Sequence, residues 1–564
     1  MFADARDVEA GTELEADLCI VGAGAAGITL AREFIGGSVR VVLLESGGFD
    51  YEADTQALYE GRQKGGIEYF PLETARLRQF GGTTNHWGGL CRPFEEVDFQ
   101  PRDWIPHSGW PIDKTELDPF YERARVVANL PSPLWSADEW VQRDHLSPLK
   151  LGRSFETRVA QDVPSAQKSF GVTYRDEIDR APNVTAYHHA NAVEVQIGES
   201  GAIATAIQVA TLTGRHFSVA AKQFVLALGG LENPRLLLAS DKQERAGVGN
   251  RNDLVGRFFL EHPRFIAGMI VPTNPNLSVG FYQNHRVGDA TTVGYIALAR
   301  DAQSEDELVD VQIRIEPAYE ARFEQALDSV DVDSARALLG RGGDEELGGH
   351  IGNVVRDLMS WRSFMVAGTP LPVPYPELVG ELIRSTPVER QSLIPGLLGD
   401  VAGAAYSELS GRAPLNGLAL STRFEPVPNP DSRVLLIGER DALNMRRIQL
   451  NWKLSDLDKH SVRRTLEILA ADVGRTGLGR MRILFDGQGP WPQDLAGGWH
   501  LMGTTRMSDS AHQGVVDRNC RVHGMANLYV AGSSVFPTAG SGTPTLTLIA
   551  LALRLAQHLK RSLS

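Results

Sequence analysis

The stretch DLCIVGAGAAGITLAREFIGGSVRVVLLE at residues 17–45 decides the fold. DLCIV, at 17–21, is a short apolar run suited to a strand buried on both faces. GAGAAG follows at 22–27, then the helix-like ITLAREFIGG, and VRVVLLE at 39–45 is a second buried strand. Strand, glycine turn, helix and strand in this order open a dinucleotide-binding unit. Gly22 permits the tight turn and Gly24 lets the backbone approach a pyrophosphate. Ala25 and Ala26 complete the small-residue run, and Gly27 lets helix and strand pack closely. The helix N-terminus then offers free N–H groups and partial positive charge to the phosphates. Glu45 stands 18 residues after Gly27, at the end of the second strand, where its carboxylate can accept bonds from adenosine ribose hydroxyls, with Ser46 beside it. This motif alone fits NAD or FAD.

Composition bounds the rest. The 564 residues allow two to four structural units, at roughly 150 residues each. With 42% hydrophobic and 22% charged residues the chain is globular, neither disordered nor a repeat array. Its 56 basic and 70 acidic residues leave a net charge of −14, which argues against a nucleic-acid partner. Cys19, Cys91 and Cys520 make no disulfide framework and no zinc pattern, so no metal is expected. The N-terminal MFADARDVEAGTELEAD carries acids where a secretory signal needs a basic start and an apolar core. LTLIALAL at 546–553 is too short to span a membrane and runs into Arg554. The expectation is a soluble, cytoplasmic protein.

Further pieces of the first unit lie far along the chain. KQFVLALGG at 222–230 reads as a strand ending in a glycine pair before the helix LENPRLLLAS, and ANLYVAGSSVFP at 526–537 as a strand running into a loop. PTLTLIALALRLAQHL at 544–559 is a helix with Pro544 in its first turn. One parallel sheet collecting these strands would assemble a nucleotide domain from 1–94, 191–264 and 496–564, leaving 95–190 and 265–495 as a second, substrate domain. Residues 301–350 hold fourteen Asp and Glu against four Arg, a local balance of −10. This insert, with EPAYEARFEQALDSV read as helical, is either a solvated excursion or a field that attracts cationic substrates.

Two more motifs narrow the cofactor. QFGGTTNHWGGLCRPF at 79–94 places Thr83, Asn85, His86 and Trp87 among Gly81, Gly82, Gly88 and Gly89, so that main chain can lie flat against a ring system. WHLMGTTRM at 499–507 precedes GVVDRNCRVHGMANLYVAGSSVFPTAGSGTPTLTLIALALR. Together with GAGAAG these stretches resemble the glucose–methanol–choline (GMC) flavoprotein oxidoreductases, within them the bacterial sugar dehydrogenase and pyranose oxidase branch. SGWPIDKTELDPFYERA at 108–124 and VGRFFLEHP at 255–263 are similar to stretches of that branch.

The resemblance implies an α/β (α+β) fold, with a Rossmann-like FAD-binding domain built from discontinuous segments and a substrate domain with a mainly antiparallel sheet. It implies bound FAD and hydride transfer from an alcohol carbon to flavin N5, the substrate being a sugar or sugar-like polyol such as a glycoside or aminoglycoside. The family's catalytic histidine falls on His500, and histidine suits a base that takes the hydroxyl proton. The family's second polar residue, His or Asn, is here Thr543. That residue can bond the substrate oxygen or merely cap the helix beginning at Pro544. The N-terminus of that helix would face the flavin pyrimidine and stabilise the reduced ring. His86 matches a position that in some members bonds FAD covalently and in others packs on it. Val193 matches the position whose backbone meets the adenine. Gly229, Glu232 and Asn233 after the LGG turn, and Gly532 and Ser533 in AGSS, fall where the family approaches its cofactor. A non-sugar alcohol is the alternative substrate, and a non-redox flavin lyase the alternative reaction. Dioxygen and other electron acceptors are both compatible with the sequence.

Overall fold

The computed structural model describes residues 1–319 and 415–563. Two eight-stranded sheets carry the architecture, and a three-stranded sheet joins them. The first sheet runs in the order Phe2–Asp4, Val184–His188, Val41–Leu44, Glu13–Val21, His216–Leu226, Ala204–Ala210, Asn191–Ile197. Its left half is parallel, and the last three strands form an antiparallel meander. Leu528–Val530 returns from the far end of the chain and pairs in parallel with Phe224–Leu226. The parallel strands are apolar because both faces are covered: Val41, Val42, Leu43 and Leu44 are all buried.

The glycine turn leads into the helix Ala25–Glu33, four residues before the apolar run at 28–31 resumes the core. The terminal helix Thr545–Leu563 packs against it and against the helix Lys114–Val127. One expected boundary is corrected. Val184–His188 lies inside the first sheet, paired with Val41–Leu44, although 95–190 was assigned to the substrate domain. A short strand with mixed burial carries little local signal of the sheet it will join.

In the second sheet the order is Gly479–Ile483, Arg264–Pro272, Leu415–Phe424, Val311–Tyr319, Ala290–Leu298, Phe155–Asp162, Leu90–Cys91, with His285–Val287 as a hairpin on Ala290–Leu298. Every ladder in it is antiparallel. Alternation splits its faces. Ile313, Ile315, Leu418, Leu420 and Phe424 point into a core shared with Val462, Leu466 and Leu469 of the helix Asp456–Arg475. The opposite face carries Arg264, Gln312 and Arg423, which sit on adjacent strands in one cross-strand row. Glu316–Tyr319, expected to begin a helix, instead ends the strand Val311–Tyr319; the remainder of EPAYEARFEQALDSV and most of the acidic insert lie outside the described residues.

Candidate active site

The glycine turn is shaped as its residue types require. Gly22 has φ +104°, and a Cβ there would meet the Ala227 carbonyl oxygen; one on Gly27 would collide with the Gly22 carbonyl. Gly24 differs: a Cβ there would meet nothing within 4 Å. Gly24 caps the helix without a side-chain bond, so the first-turn N–H groups around Ala25 and Ala26 face open space. Glu45 is buried beside this turn. Its carboxylate accepts from Ala23 N at 2.9 Å, Gly47 N at 3.1 Å and the Ser46 hydroxyl at 3.1 Å. A carboxylate offers about four acceptor positions, which leaves room for one further donor. Burial raises its pKa.

The second glycine loop lies against the first. Gly81 N donates to Ala23 O at 2.9 Å, and Gly82 approaches the Gly24 Cα. Asn85 and Trp87 pin this loop from behind rather than facing the cradle. Asn85 donates to Phe80 O and accepts from the Ser169 hydroxyl, and Trp87 Nε1 donates to Lys168 O at 2.9 Å. Thr83 and His86 keep partial exposure, and burial pushes His86 down to about 4, so it is neutral. Gly88 and Gly229 face open space as Gly24 does. Asn233 is structural: it accepts from Leu228 N and donates to the Ser534 hydroxyl, tying the helix Gly229–Ala239 to the 531–534 loop. Glu232 is buried, which raises its pKa, but Arg235 at 3.2 Å and Arg78 and Arg76 at 2.8 Å each bring it down to about 2. Val193 falls where the ladder shifts register between Ala192 and Glu194, so its backbone is left outside the regular pairing. Gly532 has φ +106° and lies 4.0 Å from Ala26 Cβ when given a Cβ of its own, and Ser533 donates to Leu501 O at 2.7 Å.

His500 is positioned by a carboxylate. Glu261 accepts from the backbone N–H groups of Gly498, His500 and His262 and from the Tyr69 hydroxyl. Gathering Gly498 and His500 around one carboxylate leaves Trp499 at φ +60°, a strained conformation supported by its stacking on Phe70 at 4.6 Å. The His500 imidazole meets His262, Nδ1 to Nδ1, at 2.7 Å, and His262 Nε2 lies 2.7 Å from the Gly540 carbonyl oxygen. Burial pushes His262 down to about 3 and His500 well below its ordinary value, the latter helped by His262, Arg423 and Arg264. Both rings are therefore neutral, and their tautomers follow. The Gly540 carbonyl can only accept, so His262 carries its proton on Nε2. His262 Nδ1 must then accept from His500 Nδ1–H, and His500 Nε2 keeps a free lone pair.

The loop holding Gly540 is rigidly tied. Thr538 donates to Asp98 O at 2.8 Å and accepts from Trp110 Nε1 at 2.8 Å, while Ser541 donates to Asp310. Two residues later the Thr543 hydroxyl is buried and bonds no group among the described residues. It does not cap the terminal helix. His500 and Arg423 are both half-buried. A cavity of about 360 Å³ lined by His107, Arg257, Phe258 and His512 contains none of these residues.

The stretch VGRFFLEHP by itself gives His262 no role, and Arg264 and Arg423 belong to no motif. A local signal was present: Glu-His-Pro-Arg at 261–264 sets three ionisable residues where a strand begins.

The open cradle between the two glycine loops, the buried acid at its end, a neutral histidine and an orphaned hydroxyl three residues after Gly540 fit a flavin dinucleotide and an alcohol. Fold and site define an FAD-dependent oxidoreductase acting on a CH–OH group. A profile of the GMC oxidoreductase C-terminal region matches residues 428–552. The 2-methyl-1,2-propanediol dehydrogenase of Mycolicibacterium austroafricanum is 21% identical, over 98% of this chain and 96% of its own. The 6'''-hydroxyparomomycin C oxidase of Streptomyces lividus is 24% identical over 96% and 92%. The crystal structure of pyridoxine 4-oxidase from Mesorbium loti superposes with a TM-score of 0.52 at 16% identity, covering 97% and 99% of the two chains. Residues 428–552 thus match the GMC oxidoreductase family, and the whole chain is similar to full-length flavoprotein oxidoreductases. Among the described residues no helix is long and apolar enough to cross a membrane.

Proposed function

We propose that this protein oxidises an alcohol group of a sugar or sugar-like polyol to the carbonyl, with His500 as the base. The observation that carries this reading is the free lone pair on His500 Nε2, fixed by the chain from Gly540 O through His262 to His500 Nδ1. Bound FAD supplies the two-electron acceptor for the hydride that leaves the carbinol carbon. His500 Nε2 takes the hydroxyl proton, and the imidazolium formed stays hydrogen-bonded to His262. The Thr543 hydroxyl, free of any other bond, holds the substrate oxygen.

The cofactor cradle is assigned as follows. The N–H groups around Gly24, Ala25 and Ala26 hold the pyrophosphate, Glu45 the ribose, and the Val193 backbone the adenine. Gly81, Gly82, Thr83, His86 and Gly88 line the ring, with the Gly532–Ser533 turn and the Thr543–Pro544 helix start on its other side. Asn85, Trp87 and Asn233 serve by holding the loops that do so.

A polyol is favoured over an apolar alcohol because the groups near His500 are polar: Arg264 and Arg423, the latter bonded to Gln312. The relative that acts on a paromomycin derivative is consistent with a sugar-like ring. Anaerobic mixing of the FAD-loaded enzyme with sugars and polyols tests the reading. Bleaching of flavin absorbance with carbonyl formed in equal amount supports it, and an oxidised flavin with substrate cleaved would make the protein a lyase.

A further inference from the structure

Resting on that reading, we propose that the alcohol substrate carries an anionic group, carboxylate or phosphate, held by Arg423 and Arg264 on the wall opposite His500. Arg264 and Arg423 are direct cross-strand partners, as are Arg423 and Gln312, and Arg314 lies two residues further along the same face. Side chains so paired start roughly 5 Å apart. Three guanidiniums are thus crowded on one face, and Arg264 and Arg423 are both close enough to His500 to depress it.

Among the described residues this charge is neutralised only in part, by Glu316 beside Arg314 and Arg264. Arg423 makes one hydrogen bond, to Gln312 Oε1 at 2.8 Å, and its Nε has none; Arg314 Nε likewise has none. Two of the acids within reach are engaged elsewhere, and the third, Glu316, is one carboxylate among three arginines. Asp310 is bound by Arg158 and Ser541. Glu425 pairs with Arg102 at 2.6 Å. Burial raises the pKa of Glu316. Crowded buried cations with unused donors need an anion, and a planar guanidinium suits a two-oxygen acceptor.

The chemistry points the same way. His500 must gain a positive charge as it takes the substrate proton, and the adjacent arginines oppose that gain. An anionic group bound between them cancels the opposition, so the right substrate raises the basicity of its own base. A cationic amino-sugar would add to the repulsion. Nothing in the described part of the acidic insert reaches this wall other than Asp310 and Glu316.

The test uses the FAD-loaded enzyme with four ligands of similar shape: glucuronate, its uncharged isostere glucuronamide, glucose 6-phosphate and cationic glucosamine. Affinity is read by calorimetry on the holoenzyme of the His500→Ala variant, which binds without turnover, and kcat/KM on the parent. Glucuronate or glucose 6-phosphate should bind about 10- to 100-fold tighter than glucuronamide, glucosamine weakest, and the better anion names its source. Arg423→Gln should reduce that preference at least tenfold and Arg423→Lys restore part of it; Arg264→Gln is the second variant should the first not fold. Glucuronamide or glucosamine matching the anions overturns the proposal. So does an Arg423→Gln variant that weakens all ligands by one common factor, since the charge would then act on the cofactor. Failure of all four to bind overturns it as well. Anion-selective binding without flavin reduction leaves the inference standing and removes the functional reading instead.

Discussion

The Nδ1 atoms of His262 and His500 stand 2.7 Å apart, two ring nitrogens of which only one can carry the proton between them. The Gly540 carbonyl behind His262 decides which, and leaves the His500 Nε2 lone pair available for the proposed role as base. His262 acts through His500 and is a positioning residue.

Replacing His262 should therefore separate acceptor from bulk. His262→Asn keeps an oxygen near the place of Nδ1 and should retain most of the flavin-reduction rate. His262→Leu should lose tenfold or more, because the His500 tautomer is no longer fixed. Rates from anaerobic stopped-flow absorbance check this, and equal rates for the two variants would show that His262 is only packed.

The pH dependence has a definite sign. His500 works as the unprotonated ring, and burial with His262, Arg423 and Arg264 depresses its pKa well below the ordinary value. Reduction with a neutral substrate should hold its rate as pH falls below 6.5, and decline only in more acid solution. An acid limb centred near the free-histidine value would contradict the burial seen here.

Stability should follow the same groups. Burial depresses His262 to about 3 and His86 to about 4. Unfolding lets them regain protons at their ordinary value. Their contribution is present above about 6.5 and is lost as pH falls toward the folded values. The melting temperature should drop across that window, and a His262→Asn, His86→Asn double variant should flatten the drop.

Thr543→Val removes a hydroxyl that bonds no group among the described residues. Loss of a helix cap would cost about 1 kcal/mol. The substitution should instead leave the melting temperature nearly unchanged while raising KM or lowering kcat. A clear loss of stability with unchanged kinetics would return Thr543 to a capping role.

Two glycine substitutions separate fold from cofactor. Gly27→Ala drives a methyl into the Gly22 carbonyl and should abolish soluble expression. Gly24→Ala meets open space within the protein and should fold, but lose FAD, because its methyl enters the cradle. The parent protein should be yellow. If His86 packs on the ring as proposed, acid precipitation should release the flavin to the supernatant; flavin kept in the pellet would mean a covalent bond.

The first sheet was legible because its signal is local. GAGAAG between two apolar runs dictates turn, helix and strand within about thirty residues, and Glu45 follows from where the second strand ends. The strand Val184–His188 was not legible, since its partner is 143 residues upstream, with Val41 opposite Val184. His500 was readable from its motif. The groups that give it its chemistry were not, because His262, Arg264, Arg423 and Gly540 meet only through long-range register. Asn85, Trp87 and Asn233 were found in the right loops but turn their side chains into the protein, which residue type alone does not reveal.

The most direct test of the central claim is the anaerobic rate of flavin reduction in the His500→Ala variant, measured against the parent at equal FAD content. Loss of a general base predicts a fall of about a hundredfold or more, with FAD retained and the acid limb of the pH profile gone. A variant that reduces its flavin as fast as the parent would contradict the account.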